Sequence, residues 1–181
     1  MNKKILIITG SPRVDSNSDL LADSFAEGAS IAGNEVKIFP AGRSRISGCA
    51  ACNTCFSKST ACSYNDDFNK AAALLQWADA LIIVSPMYWF TFTTQIKAVL
   101  DKMYSFIVAG KPLNIKECFL IACGETTDRS EFDGMILTYK NIAKYLKWTD
   151  RGQLIVPGVK KCSEVKNTSA LIDAQNLGMD F

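Results

Sequence analysis

The sequence predicts a doubly wound α/β domain, a parallel sheet with helices packed on both faces. Three observations predict it. Five short apolar runs of strand length alternate with segments of helical period along the 181 residues. The strongest runs are unbroken apolar stretches, as in strands buried on both faces, rather than alternating ones. Each of these ends in a turn rich in Gly, Ser or Pro.

Taken in order, Lys4-Ile5-Leu6-Ile7-Ile8-Thr9 is the first strand, broken by Gly10-Ser11-Pro12-Arg13. After Ser16-Asn17-Ser18 a helix places Leu21, Phe25, Gly28 and Ala32 on one face. Glu35-Val36-Lys37-Ile38-Phe39 alternates polar and apolar residues, which suits a strand near the sheet edge. Residues 41–65 show neither period, are rich in Ser, Gly and Cys, and are long for a connection, so this cysteine-rich loop is expected to be functional. Asp66-Asp67 is expected to cap a helix carrying Phe68, Ala71, Ala72 and Leu75. Ala80-Leu81-Ile82-Ile83-Val84 is the most apolar strand, followed by a helix with Ile96, Leu100, Met103 and Ile107 on one face. Cys118-Phe119-Leu120-Ile121-Ala122 is the fourth strand, and its helix aligns Phe132, Ile136, Tyr139, Ala143 and Leu146. Gln153-Leu154-Ile155-Val156 is a short fifth strand, and residues 170–177 belong to a final helix. No repeat or linker interrupts residues 1–181, which read as a single domain.

Composition narrows the function. A hydrophobic content of 48% is that of an ordinary α/β protein, and a net charge of +2 without a basic cluster argues against nucleic acid. The longest apolar stretch, residues 78–87, is interrupted by Asp79 and Ser85 and is too short to span a bilayer. Met1-Asn2-Lys3-Lys4 leads straight into the first strand without a signal-peptide pattern, and seven cysteines, an odd number, suit a reducing compartment; the expected location is cytoplasmic. With no histidine in the chain, Ser–His and Cys–His nucleophiles and His-containing metal sites are excluded. Catalysis must run on a cofactor, on carboxylates, lysines and tyrosines, or on thiols.

Three segments carry chemistry. The first turn sets free N–H groups and the positive end of a helix dipole beside the hydroxyls of Ser11, Ser16 and Ser18, the Asn17 amide and the Arg13 guanidinium, which is an anion site. One glycine and no acidic residue after Ile38-Phe39-Pro40 do not make a dinucleotide fingerprint, and no Walker A lysine is present. Many side-chain donors suit a terminal phosphate monoester; an ordinary strand–helix turn with serine caps is the alternative. The second segment, Ser85-Pro86-Met87-Tyr88-Trp89-Phe90-Thr91-Phe92-Thr93, puts apolar and aromatic residues at a strand's carboxyl end, where they can shield a flat heterocycle, pack against their own domain or lie in a dimer interface. The third, Cys49-Ala50-Ala51-Cys52-Asn53-Thr54-Cys55, is C-x2-C-x2-C with Cys62 seven residues further on. Such thiolates can ligate a [4Fe–4S] cube, whereas structural zinc sites usually pair two separated clips, and a Cys49–Cys52 disulfide does not suit a reducing compartment. Free thiols are the remaining alternative. Cys118 and Cys123 are expected to serve as small apolar side chains in or beside the fourth strand, and Cys162 stands alone.

Gly10-Ser11-Pro12-Arg13 followed by Asn17-Ser18 resembles the G-S-P-R signature of the flavodoxin-like NAD(P)H-dependent FMN reductases, above all the branch with the iron–sulfur flavoproteins. Pro86-Met87-Tyr88-Trp89 and Thr94-Gln95-Ile96-Lys97-Ala98-Val99-Leu100-Asp101 are similar to that family's P-x-Y-[WF] and T-x-Q-[IL]-K-x-x-[IL]-D segments. The resemblance implies a flavodoxin-like three-layer sandwich with strand order 2-1-3-4-5. It implies FMN, its phosphate held by Ser11, Arg13, Ser16, Asn17 and Ser18 and its ring along Pro86, Met87, Tyr88 and Trp89, with Phe90 at the rim and Gly124 where the fourth strand approaches the flavin.

The implied activity is an FMN-dependent oxidoreductase that uses NAD(P)H to reduce a quinone, a nitro or azo compound, free flavin or a similar acceptor. Tyr88 is then the one proton-donor candidate. The alternative is an iron–sulfur flavoprotein that passes electrons between FMN and a cluster on Cys49, Cys52, Cys55 and Cys62, which satisfy that branch's compact cysteine pattern. Many relatives whose cysteine loop runs into a helix start like Asp66-Asp67-Phe68 carry no cluster. A third reading is a non-catalytic module that has lost FMN. The expected partners are a small-molecule acceptor or a redox protein and a second copy of the chain, as a homodimer or homotetramer.

Overall fold

The computed structural model describes residues 2–181. Five strands, β1 (Lys4–Thr9), β2 (Glu35–Phe39), β3 (Ala80–Pro86), β4 (Glu117–Cys123) and β5 (Thr149–Val156), form one parallel sheet in the order β2-β1-β3-β4-β5. The helices are α1 (Asn17–Ile31), α2 (Phe68–Trp77), α3 (Thr94–Lys102), α4 (Tyr104–Val108), α5 (Asp133–Leu146) and α6 (Ala170–Met179). The expected flavodoxin-like order is the observed one, and the alternating second strand lies at one of the sheet's two edges, with β5 at the other.

The period-2 geometry of each strand divides the core in two. Leu6, Ile8, Leu81, Ile83 and Leu120 face α2, α3 and α5, where Phe68, Leu75, Ile96, Val99 and Tyr139 close the layer. Ile5, Ile7, Ile82, Val84 and Ile121 face α1 and α6, against Leu21, Phe25 and Ala174. The central strands therefore need apolar residues at every position, which is why β1 and β3 are unbroken apolar runs. Among the described residues no helix is long and apolar enough to cross a membrane.

Helices α1 and α6 touch backbone to backbone. A Cβ on Gly28 would lie 1.9 Å from the Gln175 carbonyl oxygen, and one on Gly178 would lie 2.2 Å from that of Phe25. Both glycines are there for contact, since neither is needed for a turn.

Four expectations are corrected in detail. The helix expected to run from Ile96 through Ile107 breaks at Met103, whose N–H is shared between the carbonyls of Val99 and Leu100. That tightened turn rotates the following residues outward, so Ile107 is half exposed. Phe132 is buried, but in a 3₁₀ turn (Arg129–Phe132) that precedes α5. Strand β5 begins at Thr149 rather than at the apolar run, because an edge strand can pair its polar residues without burying them; its register shifts between Cys118 and Leu120 of β4. Ala32 is an exposed cap residue, and Ala29 takes its place in the α1 core face. On the same principle of fit, Tyr139 is fully buried only because its hydroxyl lies 2.7 Å from Asp150 Oδ1 and 2.9 Å from the Cys118 carbonyl, and burial pushes the phenol far above its usual pKa.

Substituting Gly178→Ala forces α6 away from Phe25. We expect a loss of about 2–3 kcal/mol, the cost of overpacking outweighing the gain in helix propensity. Urea denaturation checks this: an unchanged midpoint would show that α6 shifts freely.

Candidate functional site

The connections from β1 and β3 leave the sheet in opposite directions, α1 to one face and α3 to the other. Between them, at the strands' carboxyl ends, the chain cannot fill the space, and a cleft of about 420 Å³ opens there. That is within the range of roughly 300–1,000 Å³ of small-molecule sites.

One wall is the first turn. Ser11, Arg13, Ser16, Asn17 and Ser18 all line the cleft. Ser16 is the N-cap of α1: its Oγ accepts from the Asp19 N–H (3.1 Å) and its carbonyl from the Leu20 N–H (3.0 Å). The N–H groups of Asn17 and Ser18 have no intrahelical acceptor and lie in the first turn beside the cleft. The Ser16 and Ser18 hydroxyls are 3.1 Å apart, and Ser11 Oγ accepts from the Arg13 N–H (3.1 Å). The Asn17 amide, expected as a free donor, is committed elsewhere. Its Nδ2 donates to the Lys161 carbonyl (2.9 Å), and its Oδ1 accepts from the Val165 N–H (3.0 Å). Asn17 therefore straps the segment after β5 across the cleft.

Sequence reasoning missed that segment: Val159, Lys160 and Cys162 line the cleft. Nothing in its composition marks it, and it is brought there by pairing: the Val159 N–H donates to the Gly124 carbonyl (2.8 Å) and the Gly124 N–H to that of Val156 (3.1 Å). Gly124 is in the cleft as expected, with both its backbone groups spent in this way. Arg43 was also missed. It donates to the Arg13 carbonyl (3.1 Å) and to Asp19 Oδ2 (2.8 Å), bracing the first turn from behind. Its neighbour Gly42 packs so closely that a Cβ would meet the Ser11 carbonyl oxygen at 2.2 Å.

The opposite wall is Pro86, Met87, Tyr88 and Trp89. Pro86 pairs with Cys123 in the sheet, and the Met87 N–H donates to the Cys123 carbonyl (2.8 Å), which sets this loop beside the loop after β4. Tyr88 and Thr91 exchange both backbone bonds (2.9 and 3.1 Å), so Trp89 and Phe90 form a two-residue turn with φ of 45° and 63°. Positive φ at both central positions is the type I′ pattern that normally takes Asn-Gly. Trp89 is nonetheless 91% exposed. Phe90 does not line the cleft; it lies beyond it, edge-on to Trp89 with ring centroids 6.4 Å apart. Cys123 borders the cleft, but complete burial pushes its thiol up to about 12, so it stays protonated at neutral pH.

The cysteine segment lies against the other face. Cys49, Cys52, Cys55 and Cys62 line one small cavity of about 30 Å³, closed by Lys102, Tyr104 and Ser105. Among the described residues, no three His, Cys, Asp or Glu side chains form a group that could hold a metal ion. A hydrogen bond from Thr54 (Oγ1 3.0 Å from Sγ) lowers the pKa of exposed Cys52, while burial, then the neighbouring thiols of Cys52 and Cys62, raise that of Cys55. The stems of the segment are tied at Asp66. Its Oδ2 accepts from the Ser47 N–H (3.0 Å) and hydroxyl (2.8 Å) and forms an ion pair with buried Lys102, which also reaches Ser47 Oγ (3.2 Å). Asp67 holds the N-cap position of α2 without a side-chain cap bond, and the capping carboxylate is that of Asp66, whose Oδ1 accepts from the Phe68 N–H (3.0 Å).

A parallel sheet in this order, with its cleft between β1 and β3, defines a flavodoxin-like domain. The chain belongs to the NADPH-dependent FMN reductase family, whose model matches residues 3–133. It is 31% identical over 103 residues to an iron–sulfur flavoprotein of Archaeoglobus fulgidus, covering 57% of this chain and 46% of that protein. An iron–sulfur flavoprotein of Methanocaldococcus jannaschii is 33% identical over 110 residues, covering 60% of this chain and 54% of the relative. The chain thus spans about half the length of the curated relatives it matches. Among solved structures, the NAD(P)H:quinone oxidoreductase of Methanothermobacter marburgensis shares the fold at 16% identity, with a TM-score of 0.76 over 99% of this chain and 96% of that one.

Two outcomes follow from this geometry. Replacing Trp89-Phe90 by Asn-Gly should raise stability by about 1–2 kcal/mol, since it relieves two left-handed residues and removes a tryptophan that buries little; a lower urea midpoint would refute the strain. The Asp66 carboxyl is opposed by burial but held below its usual pKa by Lys102, Ser47 and Phe68. A depressed folded pKa gives stability that is present above the unfolded value and lost as pH falls through the folded one. Asp66→Asn should therefore cost about 2 kcal/mol at pH 7. The gap from the parent should close as pH falls below 3.8, and a pH series of urea midpoints measures it.

Proposed function

We propose that the chain binds FMN in the cleft between β1 and β3 and uses NAD(P)H to reduce a quinone, a nitro or azo compound, free flavin or a similar small acceptor. The observation that carries this reading is the pairing of a hydroxyl-lined helix N-terminus with an aromatic lip across one cleft. The residues fit the group. Buried Ser11, Ser16 and Ser18 offer hydroxyls, and the first turn of α1 offers N–H groups, to a dianionic phosphate. Arg13 adds a charge at the mouth, and Met87, Tyr88 and Trp89 offer apolar surface to a flat ring.

FMN, when bound, supplies hydride acceptance from nicotinamide and onward electron transfer to the acceptor. The protein orients and shields. Ser16 caps the α1 N-terminus that would meet the phosphate, Arg43 fixes the first turn from behind, and Asn17 keeps the segment of Lys160 and Cys162 over the cleft. Tyr88 has its N–H and carbonyl tied to Thr91 and keeps its hydroxyl as the proton donor we assign to the acceptor's side. The lip, with Trp89 almost wholly in solvent, is the surface we assign to a second copy of the chain in a homodimer or homotetramer, in a cytoplasmic setting.

A second reading has its own support: four cysteines around one cavity, in a chain similar to iron–sulfur flavoproteins. Cys49, Cys52, Cys55 and Cys62 would hold a [4Fe–4S] cluster, which supplies one-electron transfer when bound. The donor set suits a cluster in type and number, and the exposed segment must draw its thiols inward to ligate, as loops that organise on metal binding do.

The phosphate assignment is tested by Arg13→Ala. We expect FMN affinity to fall about 10-fold or more, the loss of a charge-assisted bond, and riboflavin affinity to change less than about 2-fold. Equal losses for the two ligands, measured by fluorescence titration, would refute it.

A further inference from the structure

The loop after β4 and the segment after β5 meet at the cleft through their backbones. The Gly124 carbonyl accepts from the Val159 N–H (2.8 Å), and the Thr126 carbonyl from the Gly158 N–H (2.7 Å). The residues that follow Gly124 and Val159 are charged and both line the cleft: Lys160 Nζ lies 2.6 Å from Glu125 Oε1. The backbone of Lys160 is committed, its N–H to Glu164 Oε2 (2.7 Å) and its carbonyl to Arg13 Nη1 (3.5 Å). Its ammonium therefore reaches Glu125 from a fixed stem. Stability does not explain the pair, because its side chains are 67% and 65% exposed and such pairs contribute little.

Both partners keep bonding capacity. An ammonium has three donors and a carboxylate about four acceptor sites, and the pair uses one of each. The cleft thus holds a donor and an acceptor side by side, away from the hydroxyls of the first turn. Glu125 is the one carboxylate that lines the cleft; Tyr88, Trp89 and Cys162 bring donor hydrogens of their own, and the Asn17 amide is spent on Lys161 and Val165.

We propose that the Glu125–Lys160 pair reads the pyrimidine edge of the flavin, Glu125 accepting from the ring N3–H and Lys160 donating to a carbonyl beside it. This rests on the FMN reading above. N3–H is the only N–H of the oxidised ring and lies between two carbonyls, so that edge presents acceptor, donor, acceptor. A ring that enters the cleft must find an acceptor for its one donor or lose affinity. Lys160 has a second effect: a positive charge at that end of the ring stabilises the reduced, more negative flavin and raises its potential.

The test uses the full chain and two flavins, FMN and FMN methylated at N3, each titrated by flavin fluorescence. We expect the parent to bind FMN about 10-fold tighter than the methylated flavin. Glu125→Ala should cut that preference below about 2-fold by weakening FMN, and Glu125→Gln, which keeps a carbonyl acceptor, should restore part of it. Lys160→Met should keep the preference and move the midpoint potential of bound FMN to a more negative value; an unchanged potential overturns the part of Lys160. A structural role for Glu125 would weaken both flavins alike and leave their ratio, and steric exclusion would make Glu125→Ala bind the methylated flavin better without losing FMN. Either result overturns the proposal. A parent that binds both flavins equally overturns it and leaves the FMN reading standing, whereas a parent that binds neither overturns both.

Discussion

The structure depends on one topological constraint, the departure of α1 and α3 to opposite faces from neighbouring parallel strands. Right-handed crossovers leave no other way for β1 to lie between β2 and β3. Space opens at their carboxyl ends, and the first residues after each strand must line it. The helix that starts there presents unsatisfied N–H groups to that space. A site for an anionic ligand is thus a consequence of the strand order. What the sequence adds is the choice of lining: hydroxyls on the β1 side, an aromatic lip on the β3 side.

Much of this was legible because each signal is local. The apolar runs of β1, β3 and β4 reflect burial on both faces, and the Ser-Asn-Ser turn reflects helix capping. The cleft residues Ser11, Arg13, Ser16, Ser18, Pro86, Met87, Tyr88, Trp89 and Gly124 all belong to such turns. The rest depended on pairings that no window of sequence contains. The segment of Val159 to Cys162 reaches the cleft through backbone bonds to Gly124 and the Asn17 side chain, far away in the chain. Arg43 acts through the Arg13 carbonyl, which any residue could offer, and through Asp19, which lies 24 positions away in the chain. The break at Met103 was hidden because the apolar spacing of α3 and α4 continues across it, although the backbone does not. The resemblance puts Phe90 at the rim, and the two-residue turn leaves it outside the residues that line the cleft.

The two candidate centres are built on opposite terms. The cleft is supported from several sides: the cap of α1, the Arg43 brace, the Asn17 strap and the β4 pairing of Pro86 hold its walls with bonds to backbone. The cysteine segment is held at its stems, by Asp67 and Asp66 with Lys102, while Cys49 and Cys52 remain in solvent. A pre-formed cleft suits a ligand with a fixed shape. A segment anchored at both ends and open in the middle suits a centre that organises its own ligands as it binds.

Backbone strain follows the same division. Among the described residues, the non-glycine positions with positive φ are Asp15, Ala51, Asn53, Phe56, Ser59, Trp89, Phe90, Lys147 and Ser163. Lys147 closes α5 in the left-handed cap conformation that usually takes glycine. Every other one lies in the first turn, the cysteine segment, the aromatic lip or the strapped segment after β5. Each such residue costs about 1–3 kcal/mol and persists where its surroundings over-determine it. A chain that places glycine where α1 meets α6, yet withholds it from the tip of the lip, is not short of the means to relieve strain. Trp89 and Phe90 occupy a turn for which Asn-Gly would be better, and they hold large apolar surface in solvent at a cleft mouth. Folding alone gives no reason for that choice; the role proposed for the lip, a surface that meets a ring or a second copy of the chain, does.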